Sequence, residues 1–168
     1  GKPLQVQVPG FDDILGDKLT AFAPNTTGIP YEKRGQSRAM EIIKQLYDIG
    51  YLVEQIQSPA ITAKTFHAFA KTELGYRNIG DDTNLVLDYI FSENYHIEKA
   101  VIHAARAAYM AALIRTGEKT LQRFTEPMEI KDWNIANQQF NKLNKLRKSN
   151  PEAFFYWHQA LTLLKLVE

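Results

Sequence analysis

The chain has 168 residues, enough for one large domain, and its 45% apolar and 23% charged residues are ordinary for a globular protein. With 20 basic and 19 acidic side chains, its net charge of +1 argues against a generally cationic nucleic-acid scaffold but allows a local basic patch. The absence of cysteine excludes disulfides, thiolate zinc sites and cysteine nucleophiles. Without a long apolar run or a signal-peptide pattern, the sequence predicts a cytoplasmic protein with no membrane partner.

The first ten residues predict one short strand. Leu4, Val6 and Val8 alternate with glutamines, which is the period-2 pattern of a strand over Leu4–Val8. Because the backbone of a lone strand needs hydrogen-bond partners, we expect this segment either to pair with something outside the chain, a second copy included, or to lie on the helices as an arm. The leading Gly1 without Met is typical of a protease-trimmed tag and suggests a piece of a longer protein.

The next part of the chain has helical periodicity interrupted by turn signals. A first helix begins at Phe11, a loop follows over Asn25 to Gly35, and a second helix with one apolar face covers Gln36 to Gln57. The pair Ser58-Pro59 predicts the start of a third helix, because serine caps helices and proline is favoured at their first position. This helix is expected to end near residues 78–80.

Four further helices are expected in the second half. One, capped near residue 82, runs to Asn94, and an alanine-rich helix runs from Ile97 to Gly117. Because its small side chains let neighbours approach closely, and apolar residues nearly encircle it, we expect this helix to be central and buried. A polar helix over Asp132 to Lys148 and a last one over Glu152 to Val167 follow. The predicted fold class is mainly α, a bundle of about six or seven helices with one short N-terminal strand.

Few standard chemical motifs are present. There is no glycine-rich phosphate loop, no zinc-protease motif and no hydrolase nucleophile motif. His96 and His103 are seven residues apart but lack the convergent ligands of a metal site, so no metal ligand is predicted. Lys99, His103 and Arg106 share one helix face, which predicts a solvated basic stripe.

Two charged residues stand out from the patterns around them. Lys18 falls near the middle of the apolar stripe of the first helix, so its amine either extends past the stripe to solvent or points into a cleft that needs a cation. Asp48 lies on the polar face of the second helix, where periodicity alone favours a solvated pair with Lys44 at i,i+4.

The residues around these two charges carry a family resemblance. The run Leu15 to Phe22 (LGDKLTAF) and the run Glu41 to Ile49 (EIIKQLYDI) resemble two helices of the AbiEii/AbiGii-type nucleotidyltransferase toxins. Those helices have the patterns (A/G)-(D/E)-K-L-x-A and (R/K)-x-K-D-x-Y-D-(L/I). The segments Pro24 to Tyr31 and Ile90 to Ala100 are similar to one subgroup of the same family.

The resemblance implies a specific activity. Members of the family transfer a nucleotide from a nucleoside triphosphate to an acceptor with Mg²⁺, as toxins of toxin–antitoxin or abortive-infection systems, and some modify tRNA. It implies that Lys18 and Asp48 are catalytic, with Lys18 contacting the triphosphate and Asp48 orienting that lysine or the acceptor. Gln45 stands where the family usually has an aspartate. The implied partners are an antitoxin protein and a tRNA acceptor.

The family's metal-binding motif, a Gly-Ser/Thr loop followed by a D-x-D strand, is not in this sequence. Asp12-Asp13 and Asp81-Asp82 are adjacent pairs, and adjacent residues of a strand point to opposite sides. We therefore expect Mg²⁺ and a nucleoside triphosphate as cofactors of a full-length protein, none for this chain, and no transfer by this chain alone. The alternative is a non-catalytic helical module that binds an antitoxin, RNA or itself.

The resemblance also predicts how the chain is organised. Residues 1–57 are expected to be the C-terminal edge of an α+β nucleotidyltransferase core, a strand plus two helices, and residues 58–168 a helical region packed with it as one unit. If Lys18 and Asp48 belong to one active-site wall, the Lys18 amine and the Asp48 carboxylate should lie within about 4–6 Å, the range in which opposite charges interact appreciably.

Overall fold

The computed structural model describes residues 1–24, 26–92 and 100–168. Within these residues the fold is mainly α, as predicted, with one small hairpin and two short 3₁₀ helices at Pro127–Ile130 and Asn141–Lys145. None of the described helices is long and apolar enough to cross a membrane. The elements are α1 (Phe11–Phe22), β1 (Glu32–Lys33), β2 (Gln36–Ser37), α2 (Ala39–Gln55), α3 (Pro59–Tyr76), α4 (Thr83–Ser92), α5 (Val101–Thr116), α6 (Leu146–Ser149) and α7 (Pro151–Leu163).

Helix α5 is the centre of the bundle, which confirms the expectation for the alanine-rich helix. Every residue from His103 to Ile114 is buried, and the helix packs against α2, α4 and α7. Alanine makes this possible because it combines high helix propensity with a small side chain on every face. The helix ends at Gly117, whose φ of 73° is the left-handed conformation that glycine adopts without strain. The predicted start at Ile97 and the predicted end of the preceding helix at Asn94 lie outside the described residues.

Helix α1 is fixed closely against α3 and against the junction between α2 and α3. A Cβ at Gly16 would lie 2.8 Å from the backbone nitrogen of Phe66, so only glycine allows this approach. The Asp12 carboxylate accepts hydrogen bonds from the backbone N–H groups of Gln57 and Ser58, at 2.9 and 3.0 Å. Ser58 in turn caps α3, because its hydroxyl accepts from the N–H of Ile61.

The predicted strand at Leu4–Val8 is wrong. Residues 1–10 have no regular secondary structure, and Leu4, Val6 and Val8 are all exposed. The alternation that suggested a strand is real, but no described part of the chain offers the segment a backbone to pair with. The exposed side chains of Leu4, Val6 and Val8 are also not buried on the helices, as those of an arm would be.

The two strands of the structure were not predicted: β1 lies in the predicted loop, and β2 lies at the predicted start of the second helix. Glu32 pairs with Ser37 and Lys33 with Gln36 in an antiparallel hairpin. Its turn is Arg34-Gly35, with φ of 53° and 75°, and two positive φ values in succession suit the twist of a tight hairpin. Strands of two residues are too short to give a periodicity, and α2 consequently starts at Ala39 rather than at Gln36.

The predicted polar helix over Asp132–Lys148 is also wrong. The segment is irregular up to the 3₁₀ turn at Asn141–Lys145, and only Leu146–Ser149 is α-helical. Its asparagines bind the backbone instead: the Asn144 amide accepts from Ile135 N at 2.9 Å and donates to Ile135 O at 2.8 Å. Asparagine side chains compete with helical hydrogen bonds in this way, which polarity patterns do not reveal.

Candidate functional site

Lys18 and Asp48 form an ion pair between α1 and α2. The Lys18 ammonium donates to Asp48 Oδ2 over 3.1 Å, and the two side chains are 32% and 37% exposed. The expected approach of these groups is therefore confirmed, at a shorter distance than predicted. Among the described residues, the ion pair that Asp48 makes is with Lys18 rather than with Lys44, which is exposed on the same helix. Their catalytic role remains a prediction.

The pair lies in the middle of the contact between two antiparallel helices. Phe11, at the start of α1, lies beside Tyr51 near the end of α2, whereas Ala21, near the end of α1, lies beside Glu41 at the start of α2. We call this line of contact the α1–α2 seam. Beneath it lie buried members of the predicted apolar stripes of both helices, namely Leu15, Leu19, Ile42, Leu46 and Ile49. The two charges are thus held at the surface of a rigid apolar contact.

An apolar groove opens at one end of the seam. It has a volume of about 370 Å³ and begins at the Lys18–Asp48 pair. Phe11 and Tyr51 line this groove and are 54% and 58% exposed. We call this the aromatic groove; its other lining residues are Ile14, Leu52 and Gln55.

A charged pocket opens at the other end of the seam. It has a volume of about 400 Å³ and brings together Lys33, Arg38, Glu41 and Arg77. We call it the basic pocket. Arg38 pairs with Glu41 at 2.6 Å. The sequence did not reveal this basic pocket, because its cations come from the hairpin, the start of α2 and the end of α3.

The loop between α1 and the hairpin is held tightly against the end of α1. A Cβ at Gly28 would lie 2.5 Å from the carbonyl oxygen of Ala21, so a larger residue cannot occupy this position without moving the loop. Arg77 donates to the carbonyl oxygens of Thr26 and Gly28, at 3.1 and 3.2 Å. This segment therefore forms a fixed wall of the basic pocket.

The predicted solvated basic stripe on α5 is wrong for the two members that are described. His103 and Arg106 are buried, and Lys99 lies outside the described residues. The Arg106 guanidinium donates to Glu54 at 2.7 Å, to Glu152 at 3.0 Å and to the carbonyl oxygen of Gly50 at 3.2 Å. His103 and Arg106 face neighbouring helices rather than water, because α5 is surrounded by other helices.

His103 packs directly on α2. Its ring lies 4.3 Å from that of Tyr47 and 4.9 Å from that of Tyr51, and a Cβ at Gly50 would lie 1.9 Å from its Nδ1. Burial lowers the pKa of His103 below the ordinary 6.5; the nearby Arg106 guanidinium lowers it further, and Glu54 partly opposes this. These effects favour the neutral form of the imidazole, which packs beside Tyr51 of the aromatic groove.

The match to known proteins covers both motif helices and most of the bundle. The family model described as "Nucleotidyl transferase AbiEii toxin, Type IV TA system" matches residues 1–154. The chain belongs to the AbiEii family. This supports a nucleotidyltransferase-like toxin role and suggests an antitoxin as a partner. No curated protein and no solved structure matches the chain.

The aspartate that AbiEii-type motifs carry between the lysine and the tyrosine of the second helix is Gln45 here. Its Oε1 is buried and has no hydrogen-bond partner among the described residues. Gln45 lies between Glu41 and Asp48 on the side of α2 that forms the seam. The position keeps a buried oxygen acceptor but has no negative charge.

The described residues of this AbiEii chain do not form a ligand set for Mg²⁺. Residues 1–24, 26–92 and 100–168 contain no group of three or more histidine, aspartate or glutamate side chains placed to hold a metal ion. His67 pairs with the Thr83 hydroxyl at 2.8 Å, and the His158 ring packs 4.6 Å from Trp133. His96 lies outside the described residues. Glu54 and Glu152 converge, but both pair with Arg106.

Proposed function

We propose that this chain is the helical C-terminal portion of a nucleotidyltransferase toxin that transfers a nucleotide from a nucleoside triphosphate to an acceptor such as tRNA. Lys18 contacts the triphosphate, and Asp48 holds the Lys18 ammonium in place. The observation that carries the proposal is the 3.1 Å ion pair between two residues from separate motif helices, half-exposed at the edge of a groove. Membership of the AbiEii family supports the reaction class.

The chemistry of the pair suits this role. Nucleotidyl transfer forms a bond from an acceptor oxygen to the α-phosphorus, breaks the bond to the bridging oxygen and releases pyrophosphate, so negative charge must be stabilised on phosphate oxygens. A lysine ammonium has three N–H donors, and among the described residues Lys18 donates to Asp48 alone, so two donors can serve phosphate. Because Leu15 and Leu19 fix the helix beneath it, Lys18 is positioned before any substrate binds.

We further propose that this chain alone transfers no nucleotide. The reaction needs carboxylates that hold Mg²⁺, and the described residues do not include such a group. Incubation with labelled nucleoside triphosphates, Mg²⁺ and bulk tRNA should give no incorporation above a no-protein control. Clear incorporation would contradict this part of the proposal.

The role of the pair is tested in the full-length toxin by Lys18→Ala and Asp48→Ala. Each should abolish toxicity in cells while leaving the helical circular dichroism signal intact. Arg115→Ala is the matched control, because Arg115 pairs with Asp88 at the same kind of distance, 3.0 Å, at the exposed end of α5. A fully toxic Lys18→Ala variant would contradict the proposal and indicate that the Lys18 amine merely extends to solvent.

A second candidate function is a non-catalytic helical module that binds an antitoxin, RNA or a second copy of itself. The exposed, alternating Leu4, Val6 and Val8 favour it, since such a segment can add a strand to the sheet edge of a partner. Its test is the mass of the chain in solution, by light scattering, with and without Leu4→Lys and Val6→Lys. Toxicity that survives Lys18→Ala but is lost in these variants would favour this candidate over the first.

A further inference from the structure

The aromatic groove beside Lys18 places exposed aromatic residues next to a charged side chain. Large side chains of this protein are mostly buried, yet Phe11 and Tyr51 are 54% and 58% exposed on opposite helices of the same groove. Ile14 and Leu52 complete its apolar wall. The groove begins at the Lys18–Asp48 pair, so an aromatic surface and an ammonium donor lie within reach of one small ligand.

The Tyr51 ring has a fixed neighbour. It packs 4.9 Å from the His103 ring, which is buried and seated over Gly50, where a Cβ would collide with the imidazole. A ring whose position is restricted by a fixed neighbour loses little conformational entropy when a planar ligand stacks on it. His103 and Gly50 therefore act as positioning residues for Tyr51.

The two ends of the α1–α2 seam differ in their chemistry. The aromatic groove lies at one end, the Lys18–Asp48 pair in the middle, and the basic pocket with Lys33 and Arg38 at the other. Glu41 precedes Asp48 by seven residues, which is about 10 Å along the helix. An elongated ligand that is aromatic at one end and anionic at the other matches this order.

We propose that the aromatic groove binds the nucleobase of the nucleoside triphosphate, stacked on Tyr51 and Phe11, with the phosphates directed past Lys18 toward the basic pocket. The inference rests on the proposed function, because it uses Lys18 as the phosphate contact. Base–aromatic stacking tolerates every base, since each has a π face. The groove therefore supplies affinity and orientation, and only a modest base preference.

The experiment uses the full-length protein and two probes, a 2-aminopurine nucleoside triphosphate and inorganic tripolyphosphate. Stacking quenches 2-aminopurine fluorescence, so binding to the unaltered protein should quench it. Tyr51→Ala should weaken nucleotide binding by about tenfold, the contribution of one base–aromatic stack, and leave tripolyphosphate binding unchanged. Tyr51→Phe should retain both the quench and the affinity.

Two further variants separate stacking from packing. Tyr51→Leu keeps an apolar side chain against His103 but has no π face, so it should lose the quench as Tyr51→Ala does. Tyr76→Ala is the matched control, because Tyr76 is an even more exposed tyrosine at the end of α3, outside the groove. It should change neither probe.

The outcomes distinguish this inference from the proposed function. If Lys18→Ala weakens tripolyphosphate binding but Tyr51→Ala and Tyr51→Leu bind the nucleotide as tightly as the unaltered protein, the groove assignment is overturned and the role of Lys18 stands. If neither probe binds, or Lys18→Ala binds tripolyphosphate normally, the phosphate contact fails and the inference fails with it.

Discussion

Two charge clusters share helix α2 and differ in burial and in the number of their partners. Asp48 pairs with Lys18 of α1 at 3.1 Å, and Glu54 pairs with Arg106 of α5 at 2.7 Å. The distances are alike, but the Lys18 side chain is 32% exposed and that of Arg106 only 5%. Arg106 also donates to Glu152 and to a backbone carbonyl, whereas Lys18 donates to Asp48 alone among the residues that the structure describes.

The difference in burial indicates which ion pair stabilises the fold and which is accessible for a chemical role. A half-exposed ion pair contributes little to folding, because water solvates both charges and the side chains lose entropy when ordered. A buried guanidinium has no such alternative, so its acceptors are required for the fold. The two ion pairs have similar distances, so distance does not distinguish them. Burial does, because Arg106 lies in the core and Lys18 is accessible to a ligand.

The largest effect is expected from Arg106→Ala. It removes the cation that joins α5 to α2 and α7 and leaves a buried hole beside two carboxylates. The free energy of unfolding should fall by about 3 kcal/mol, the lower part of the range for breaking a buried pair, because Glu54 and Glu152 keep some contact with water. Urea unfolding followed by circular dichroism measures this.

Arg115→Ala is the control for that measurement, since its pair with Asp88 is exposed. It should lower the free energy of unfolding by less than about 1 kcal/mol. If the two arginine variants were equally stable, burial would not be what distinguishes the clusters.

Gly50→Ala comes next and tests the contact that places His103 beside the buried cluster. The new Cβ would lie 1.9 Å from His103 Nδ1, so the helices must separate or the imidazole must leave. Such overpacking should cost about 1–3 kcal/mol of unfolding free energy. Combining it with His103→Ala should recover part of the loss, because the clash is then removed.

Gly75→Ala is the matched control, because Gly75 lies in α3 and a Cβ there meets nothing within 4 Å. It should stabilise the protein by about 0.5–1 kcal/mol through helix propensity alone. A Gly50→Ala variant that behaved like Gly75→Ala would show that α5 does not pack on α2 as closely as described.

The sequence predicted the helices whose signals are local. The start of α1, the Ser58 cap of α3 and the Gly117 end of α5 depend on neighbouring residues, and all three are confirmed. The segment Asp132–Lys148 and the strand Leu4–Val8 were wrong because one depends on asparagine–backbone bonds and the other on a partner strand. The hydrophobic periodicity of a sequence gives no information on either kind of contact.

The candidate site divides in the same way. Lys18 and Asp48 were identified because each lies in a motif, and their contact followed from the packing of two apolar stripes. The basic pocket, the aromatic groove and the burial of Arg106 were missed, because each is assembled from distant segments. For Arg106 a signal was available: a helix surrounded by apolar residues leaves no solvated face for a charge.

Lys18→Ala and Asp48→Ala should have a smaller effect on stability than either core variant. Each should lower the free energy of unfolding by less than about 1 kcal/mol, because the pair is half-exposed and water replaces the lost partner. A double-mutant cycle in urea gives the coupling energy. A coupling well above 1 kcal/mol would place this pair with Arg106 as a structural contact and weaken the case for its chemical role.

The smallest expected effect is a pH dependence that comes from the buried side of α2. Burial and the Arg106 guanidinium lower the pKa of His103 below 6.5, so the folded chain holds it neutral where the unfolded chain begins to bind a proton. Below about pH 6.5 the unfolded state therefore binds more protons, and the free energy of unfolding should decrease as the pH falls toward the folded-state pKa. His67 and His158, whose pKa values burial also lowers, add to the same trend.

His103→Gln should make this slope shallower between pH 7 and pH 5 without removing it, since His67 and His158 remain. Urea midpoints measured across that range test it, and the Lys18→Ala variant is the control, because its slope should match that of the unaltered protein. An unchanged slope in His103→Gln would mean that the imidazole already protonates in the folded chain, between Tyr47 and Tyr51. It would then lie beside Arg106 as a second cation, and burial would no longer be what separates this cluster from Lys18 and Asp48.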